Sequence, residues 1–177
     1  MSRIAIPTRD DAPAASQPIL DAVKAQLGGV LPNLFRLAAN SPPALTGLTS
    51  LSGALGKALD LKTRERIAVA VAEVNGCEYC LAAHSYIGVN MAKLTPEEVA
   101  LNRKGGSSDP KAEAAVRFAK LVAETRGKIS DADLEAVRAA GFADAQIVEI
   151  VALTAENFFT NFLNNVAQTD VDFPAIG

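Results

Sequence analysis

Aromatic residues are scarce in this sequence: tryptophan is absent, and aromatic residues occupy only 5% of the 177 positions. Hydrophobic residues still account for 49% of the chain, so alanine, leucine and valine must supply most of the core. Alanine and leucine are strong helix formers, and no segment of useful length shows the alternation of a β-strand. The composition therefore predicts an all-α fold, which start and stop signals divide into about eight or nine helices.

Basic clusters and long apolar segments are also missing. The net charge is −3, and lysine and arginine do not cluster along any segment, which argues against nucleic acid as a partner. No uninterrupted apolar segment reaches the roughly 20 residues of a membrane-spanning helix, and the first residues lack the apolar core of a signal peptide. We therefore expect a cytoplasmic protein that binds neither nucleic acid nor a membrane.

The length fits a single all-helical domain, which we assign to residues 1–177. The strongest candidate for an internal linker is NRKGGSS, residues 102–108. It separates a first half, about 16–102, from a C-terminal helical half, about 109–167. Residues that favour helix N-termini precede the predicted helices: Ser16, Ser41, either Asp60 or Thr63, Thr95, Asp109, Ser130 and Asp144.

Two apolar stripes at steps of three and four predict core-facing helix surfaces. The first consists of Leu45, Leu48, Leu51, Leu55 and Leu59. The second, in the last helix, consists of Ile147, Val151, Thr154, Phe158, Phe162 and Val166. The last helix also carries four asparagines, a residue type that is unfavourable inside a helix: Asn157, Asn161, Asn164 and Asn165. Hydrogen bonds across an interface explain these amides about as well as capping and solvation do.

Cysteine and histidine are rare, yet all of them lie close together. Cys77, Cys80 and His84 include both cysteines and the sole histidine of the chain. Residues three and four apart share a helix face, so the spacing places all three side chains on one stripe if the segment is helical. Asn75-Gly76 breaks the preceding helical pattern, and the pair would then lie in a first turn, where the helix dipole favours a thiolate.

This spacing supplies what thiol-based peroxide chemistry needs. A thiolate is oxidised by a peroxide to a sulfenic acid, and a second thiol condenses with that acid to form a disulfide. His84 can accept the proton of Cys80, and Cys77 lies three residues away from it. Two other interpretations stay open: buried cysteines can be small apolar core residues, and zinc is a third possibility, although the chain offers three nitrogen or sulfur ligands where structural zinc usually takes four.

Two glutamates precede the cysteines on the helix that begins near residue 61. Glu65 shares its face with Ala68, Val69 and Ala72, and a carboxylate on an apolar face is costly to bury without a partner. Glu73 shares a face with Arg66 and is readily solvated. Glu65 is therefore the better candidate for a proton-relay group, while the alternative is a charge that the helix start favours. Tyr79 and Tyr86, on a neighbouring face, are interpreted as packing residues.

The segment from Glu65 to His84, with the core NGCEYCLAAH, closely resembles the motif of alkylhydroperoxidase D-like proteins within the carboxymuconolactone decarboxylase family. The resemblance is strong over roughly residues 31–92 and weaker in the second half, which looks like the peroxidase-related members. It implies an all-α, alkylhydroperoxidase D-like helical bundle and a homo-oligomer, often a trimer or hexamer. The peroxidases of the family use no metal or haem cofactor, and some are re-reduced by a lipoyl-bearing partner.

By position, the resemblance implies four catalytic residues. Cys80 would attack the peroxide, Cys77 would resolve the sulfenic acid, and His84 and Glu65 would form the proton relay. One residue departs from the motif of the best-known peroxidase of the family, because Tyr79 occupies a position that is histidine there. The decarboxylase branch typically lacks the cysteine pair, so the pair argues against lactone decarboxylation.

These observations support one principal functional hypothesis and two alternatives. The principal hypothesis is a reductase of organic or hydrogen peroxide that needs no cofactor and is regenerated by an external dithiol. The first alternative is a thiol–disulfide oxidoreductase acting on a protein or lipoyl partner. The second is a non-catalytic redox switch or oligomeric binding protein.

Overall fold

The protein is described by a computed structural model that covers residues 2–174, and these residues form nine α-helices and no β-strand. The all-α prediction is therefore confirmed. The helices are α1 (Gln17–Gln26), α2 (Asn33–Ala38), α3 (Pro42–Leu55), α4 (Leu61–Val74), α5 (Glu78–Asn90), α6 (Pro96–Arg103), α7 (Pro110–Thr125), α8 (Asp131–Ala139) and α9 (Asp144–Ala167). No helix within residues 2–174 is long and apolar enough to cross a membrane.

Most helices begin at the residues that the sequence marks. The Asp60 carboxylate accepts a hydrogen bond from the backbone N–H of Thr63, which decides between the two candidates at the start of α4. The prediction is wrong for α9, because Asp144 is its first helical residue and Ala143 is the N-cap. There the Gln146 side chain accepts a hydrogen bond from the Ala143 N–H, in place of a capping side chain at the N-cap itself.

Helix α4 lies at the centre of the fold and packs against α5, α6, α7 and α9. Every residue from Glu65 to Ala72 is buried, so the helix has no solvent-facing side over two turns. Ile67, Ala70 and Val71 contribute to the largest apolar cluster, which also contains α7 and α9 side chains. Charged groups on this stretch, including Glu65, must therefore find partners inside the protein.

The expectation that Glu73 and Arg66 share a solvated helix face is wrong for Arg66. Arg66 is buried and its Nε donates to Oε1 of Glu98 on α6 at 2.8 Å. Glu73 instead pairs with Arg103, at the end of α6, with 2.7 Å between Oε2 and Nε. The packing of α6 along α4 supplies both partners, and neighbouring charges on one helix could not reveal them.

The predicted linker at residues 102–108 is fixed by the same carboxylate. Asn102 is the penultimate position of α6 and is fully buried. The hydroxyl groups of Ser107 and Ser108 donate to Glu98, and so does the backbone N–H of Ser108. Although burial acts in the opposite direction, these hydrogen bonds lower the pKa of Glu98 to about 2. The glycine- and serine-rich sequence therefore forms an anchored turn between α6 and α7.

Both apolar stripes were predicted with errors. Leu45 and Leu48 are buried, but Leu51 is 38% exposed, because α3 is an edge helix that packs against α2 and α9. Leu59 is buried beyond the end of α3, in the main core. On α9, half of the predicted stripe is exposed to solvent: Val151, Phe162 and Val166.

The buried face of α9 is partly polar. It carries Asn157, Asn161 and Asn164 together with Thr154 and Thr160. An outer apolar stripe of α9, all of it exposed, consists of Val148, Val151, Ala155, Phe159, Phe162 and Val166. Hydrophobicity alone pointed to the wrong face, because the inner face of this helix meets the thiols and the α4–α5 turn, where polar groups have partners.

Candidate functional site

A tight turn between α4 and α5 places the first thiol. The backbone N–H of Gly76 bonds to the Glu73 carbonyl, and that of Cys77 bonds to the Ala72 carbonyl. These two hydrogen bonds form a Schellman motif, whose left-handed position is taken by Gly76 at φ +60°. Cys77 follows directly as the N-cap of α5, so the turn that ends one helix also starts the next.

The two thiols lie together in the first turn of α5. Cys77 Sγ accepts a hydrogen bond from the Cys80 N–H at 3.3 Å, and both side chains are buried and unoxidised. A hydrogen bond from Cys77 to the Cys80 sulfur lowers the pKa of Cys80, as does the positive charge of His84, and these effects outweigh burial. The same hydrogen bond raises the pKa of Cys77, as does its burial. Cys80 is therefore the thiol that ionises first.

His84 connects the thiol helix to the central helix. Its Nδ1 lies 2.9 Å from Oε2 of Glu65, so the two residues of the expected proton relay are in direct contact. Burial lowers the pKa of His84, but the charge and hydrogen bond of Glu65 outweigh that effect and raise it. Because Glu65 occupies Nδ1, Nε2 is the nitrogen that remains available to Cys80. The pair is suited to hold a proton beside the thiol.

An asparagine on α9 supplies a further contact that the sequence analysis did not assign to the site. Nδ2 of Asn164 donates to Sγ of Cys80 at 3.3 Å. Asn161, one turn earlier, accepts a hydrogen bond from the Asn75 side chain, and its own amide nitrogen is buried without a partner. Both asparagines lower the pKa of Cys80. Amides at positions 157, 161 and 164 share one helix face, and this spacing was the available signal.

A cavity of about 530 Å³ opens onto the thiol. Cys80, His84 and Glu65 lie in its wall, which is otherwise formed mainly by apolar side chains of the α1–α2 connection and of α2, α3, α5 and α9. Volumes of this size are typical of pockets for small organic molecules. Glu156 of α9, also in the wall, accepts a hydrogen bond from the Ser52 hydroxyl, and burial raises the pKa of Glu156.

Tyr79 is buried beside the thiols, as the packing interpretation expects, and it also makes polar contacts. Its hydroxyl donates to Oδ1 of Asp172 at 2.8 Å and accepts from the Leu34 N–H at 3.1 Å. Its ring packs edge-on against Phe173. Burial raises the pKa of Tyr79, so the residue at the departing motif position serves to hold α2 and the C-terminal segment against α5.

The four residues singled out in the sequence thus lie along the α4–α5 pair, with Cys77 in contact with Cys80 and His84 in contact with Glu65. Their catalytic roles remain predictions. Within residues 2–174, no group of three or more histidine, cysteine, aspartate or glutamate side chains is arranged to bind a metal ion. The zinc interpretation therefore finds no ligand set in the described part of the chain.

The chain is similar to a known protein family and to several solved structures. The model of the carboxymuconolactone decarboxylase family matches residues 42–124. An uncharacterized peroxidase-related protein from Ralstonia eutropha, described as an alkylhydroperoxidase core, is 29% identical with a TM-score of 0.84, over 97% of this chain and 92% of that one. No curated protein matches the sequence significantly.

Two further solved structures share the fold at lower identity. A peroxidase-related protein from Silicibacter sp. is 24% identical, with a TM-score of 0.81, over 96% of this chain and 91% of its own. The debrominase Bmp8 is 20% identical, with a TM-score of 0.79, over the same shares of the two chains. Together with the motif from Glu65 to His84, the family match and the shared fold make the chain similar to the carboxymuconolactone decarboxylase family and to its alkylhydroperoxidase D-like proteins.

Proposed function

We propose that the protein is a cysteine-based hydroperoxide reductase. The observation that carries this proposal is the position of Cys80: it contacts Cys77 and Asn164, and it lines an apolar cavity together with the His84–Glu65 pair. A thiol with a lowered pKa, a neighbouring thiol and a proton carrier are the groups that peroxide reduction needs. The similarity to peroxidase-related proteins supports the same reaction class.

In the first step, the Cys80 thiolate attacks one oxygen of the hydroperoxide. The S–O bond forms, the O–O bond breaks, and the alkoxide leaves with a proton from protonated His84, so that the products are the Cys80 sulfenic acid and an alcohol, or water from hydrogen peroxide. Cys80 is oxidised and the peroxide is reduced. Glu65 keeps His84 in place and balances the imidazolium charge before the transfer.

In the second step, the Cys77 sulfur attacks the sulfenic sulfur, forming a disulfide and releasing water. The Cys77 proton and the sulfenic oxygen leave together in that water, so the step needs no further reactant. An external dithiol then reduces the disulfide and is itself oxidised; the reductant we propose is a small dithiol or a lipoyl group on a partner protein. The protein's own residues carry out both steps without a bound cofactor.

The cellular setting that suits this cycle is the cytoplasm, where thiols are kept reduced. We also propose a homo-oligomer, and the exposed outer apolar stripe of α9 supports this. Six apolar residues along one helix, including Phe162 at 52% exposure, form a continuous surface that a second copy could cover. The family resemblance suggests a trimer or a hexamer.

The direct test is steady-state consumption of hydrogen peroxide and of cumene hydroperoxide in the presence of several candidate dithiols, among them dihydrolipoamide. Turnover that depends on both peroxide and dithiol is the expected result. Turnover in dithiol–disulfide exchange without peroxide reduction would instead indicate a thiol–disulfide oxidoreductase. A single stoichiometric oxidation without turnover would indicate a redox switch.

A further inference from the structure

Arg64 lies in the wall of the thiol cavity, and no carboxylate within residues 2–174 forms an ion pair with it. It precedes Glu65 on α4 and lines the same cavity as Cys80. Its Nε is buried without a hydrogen-bond partner, and its side chain makes no hydrogen bond or ion pair within residues 2–174. A guanidinium group stays charged at any physiological pH, so the wall of the cavity carries this positive charge over the whole physiological pH range.

The carboxylates near Arg64 have other partners. Glu65 is bound to His84. Glu156 accepts a hydrogen bond from Ser52. Burial raises the pKa of Glu156 and outweighs the charges of His84 and Arg64, which lower it, so the uncharged acid is favoured. Leaving a charged group without a partner in a partly buried site is costly. The missing partner is therefore expected to come from the molecule that enters the cavity.

The rest of the wall defines the other part of that molecule. Leu48, Leu55, Ile87 and Leu153 are among the apolar side chains that surround the space between Arg64 and Cys80. A cavity of about 530 Å³ is far larger than hydrogen peroxide requires and suits an organic molecule with an extended apolar body. Burial of such an apolar body in the cavity is favourable, because its apolar surface is removed from water. Hydrogen peroxide has no apolar surface and gains no free energy in this way.

We propose that the physiological substrate is an amphipathic organic hydroperoxide that carries a carboxylate, with Arg64 binding the carboxylate and the apolar wall holding the chain. The assignment of the reacting group rests on the proposed function, whereas the binding of an anionic amphiphile does not. Guanidinium and carboxylate groups form paired, charge-assisted hydrogen bonds. Arg64 would thereby select and orient the substrate while Cys80 reacts with its hydroperoxide end.

The binding test uses an unreactive alcohol, 10-hydroxydecanoate, and its methyl ester, a matched pair in which one methyl group replaces the negative charge. Calorimetric titration of the reduced full-length protein at pH 7 should give a dissociation constant for the acid that is at least about tenfold lower than for the ester. Arg64→Met should abolish this preference and Arg64→Lys should retain part of it. Arg103→Met, which removes an exposed arginine outside the cavity, should leave the preference unchanged.

Glu156→Gln removes the cavity carboxyl group whose pKa Arg64 lowers, and it should leave the affinity for the acid equal or higher. Equal dissociation constants for acid and ester in the unmodified protein would overturn the proposal, as would a preference that persists in Arg64→Met. The unmodified protein alone can therefore refute the proposal, even if Arg64→Met fails to fold.

The peroxide test separates this inference from the proposed function. The ratio kcat/KM for 10-hydroperoxydecanoate should exceed that for its methyl ester by about tenfold, and Arg64→Met should remove the difference. Turnover of both peroxides with equal kcat/KM would support the proposed reductase function and refute the binding of the substrate carboxylate by Arg64. Selective binding of 10-hydroxydecanoate without turnover of either peroxide would support an anion-binding cavity and refute the proposed reductase function.

Discussion

Nδ1 of His84 lies 2.9 Å from Oε2 of Glu65, so that consecutive helices place an imidazole and a carboxylate in direct contact beside a thiol. The charge of Glu65 raises the pKa of His84, and the charge of His84 lowers that of Cys80. The three groups therefore form a linked series in which the carboxylate acts on the sulfur through the imidazole.

The first prediction follows from this series. In a Cys77→Ser background, Glu65→Gln should lower the pKa of His84, so the imidazolium charge that supports the Cys80 thiolate is lost at a lower pH. Alkylation of Cys80 by iodoacetamide near neutral pH should slow, and the midpoint of its pH profile should shift to a higher pH. In the protein with both cysteines, peroxide turnover should fall at least about tenfold.

Glu73→Gln is the matched control, because Glu73 lies on the same helix and pairs with Arg103 at the surface. Exposed ion pairs contribute about 0–1 kcal/mol, so both alkylation and turnover should stay nearly unchanged. Equal effects of the two substitutions, or a larger effect of Glu73→Gln, would remove Glu65 from the relay.

The second prediction separates the roles of the two thiols. Cys80→Ser should abolish peroxide turnover, because Cys80 has the lowered pKa and contacts Asn164. Cys77→Ser should still allow one oxidation per chain, measured by mass spectrometry of the trapped sulfenic acid. Mild peroxide should convert the unmodified protein to a Cys77–Cys80 disulfide in non-reducing peptide maps. Persistent free thiols under excess peroxide would refute the mechanism. If the two variants behave in the reverse order, Cys77 is the attacking thiol and Cys80 is the resolving thiol.

The third prediction concerns the amide on α9. Asn164→Leu keeps the size of the side chain but removes the N–H that donates to Cys80. Hydrogen bonds to charged groups are worth about 1.5–3 kcal/mol, so the pKa of Cys80 should rise by about one to two units. The thiolate absorbance as a function of pH measures this shift. Asn165→Leu is the control, since Asn165 is exposed and bonds to the Asn75 carbonyl; an equal shift there would contradict the assignment.

The sequence predicted the local part of the site well because its signals act over one or two helical turns. Asn75-Gly76 indicated the turn that places Cys77, and the spacing of Cys80 and His84 indicated a shared face. The apolar neighbours of Glu65 indicated that it needs a buried partner, and the structure supplies His84. Each of these inferences depends on residues fewer than 20 positions apart in the chain.

Groups that reach the site from distant segments could not be predicted in this way. Asn164 is 84 positions from Cys80, and its contact depends on how α9 packs across the α4–α5 turn. Likewise, Arg66 and Glu98 meet only because α6 lies along α4. Apolar periodicity usually marks the buried face of a helix, but the buried face of α9 is partly polar. Phe162 and Val166 were therefore predicted to be buried, whereas they are exposed.

The fourth prediction tests whether the outer apolar stripe of α9 mediates self-association. Light scattering should give a mass above that of a single 18.4 kDa chain. Phe162→Glu should reduce the mass toward the monomer, because it places a charge in the middle of the stripe, where burial would be costly. Leu101→Glu is the control, since Leu101 is 41% exposed on α6, away from the stripe. A monomeric unmodified protein, or equal dissociation by both variants, would contradict the prediction.

The fifth prediction concerns the buried ion pair between Arg66 and Glu98, whose Nε and Oε1 atoms are 2.8 Å apart. Glu98→Gln keeps the shape of the side chain but leaves Arg66 charged and buried without its counter-ion. Removing one partner of such a pair costs about 3–5 kcal/mol, so urea unfolding at pH 7 should show a loss of that order. Glu73→Gln, at the exposed pair, should cost at most about 1 kcal/mol.

The dependence on pH distinguishes this ion pair from simple packing. The pKa of Glu98 falls from the ordinary 4.5 to about 2 in the folded protein, because the serine hydroxyls, the Ser108 N–H and Asn102 bind the carboxylate. A lowered folded pKa gives stability that is present in full above the unfolded pKa and is lost as the pH falls through the folded value. The difference in unfolding free energy between the unmodified protein and Glu98→Gln should therefore be constant above about pH 5 and shrink as the pH falls from 4.5 toward 2. A difference that stays constant over that range would mean that Glu98 stabilises the α4–α6 contact by its shape and not by its charge.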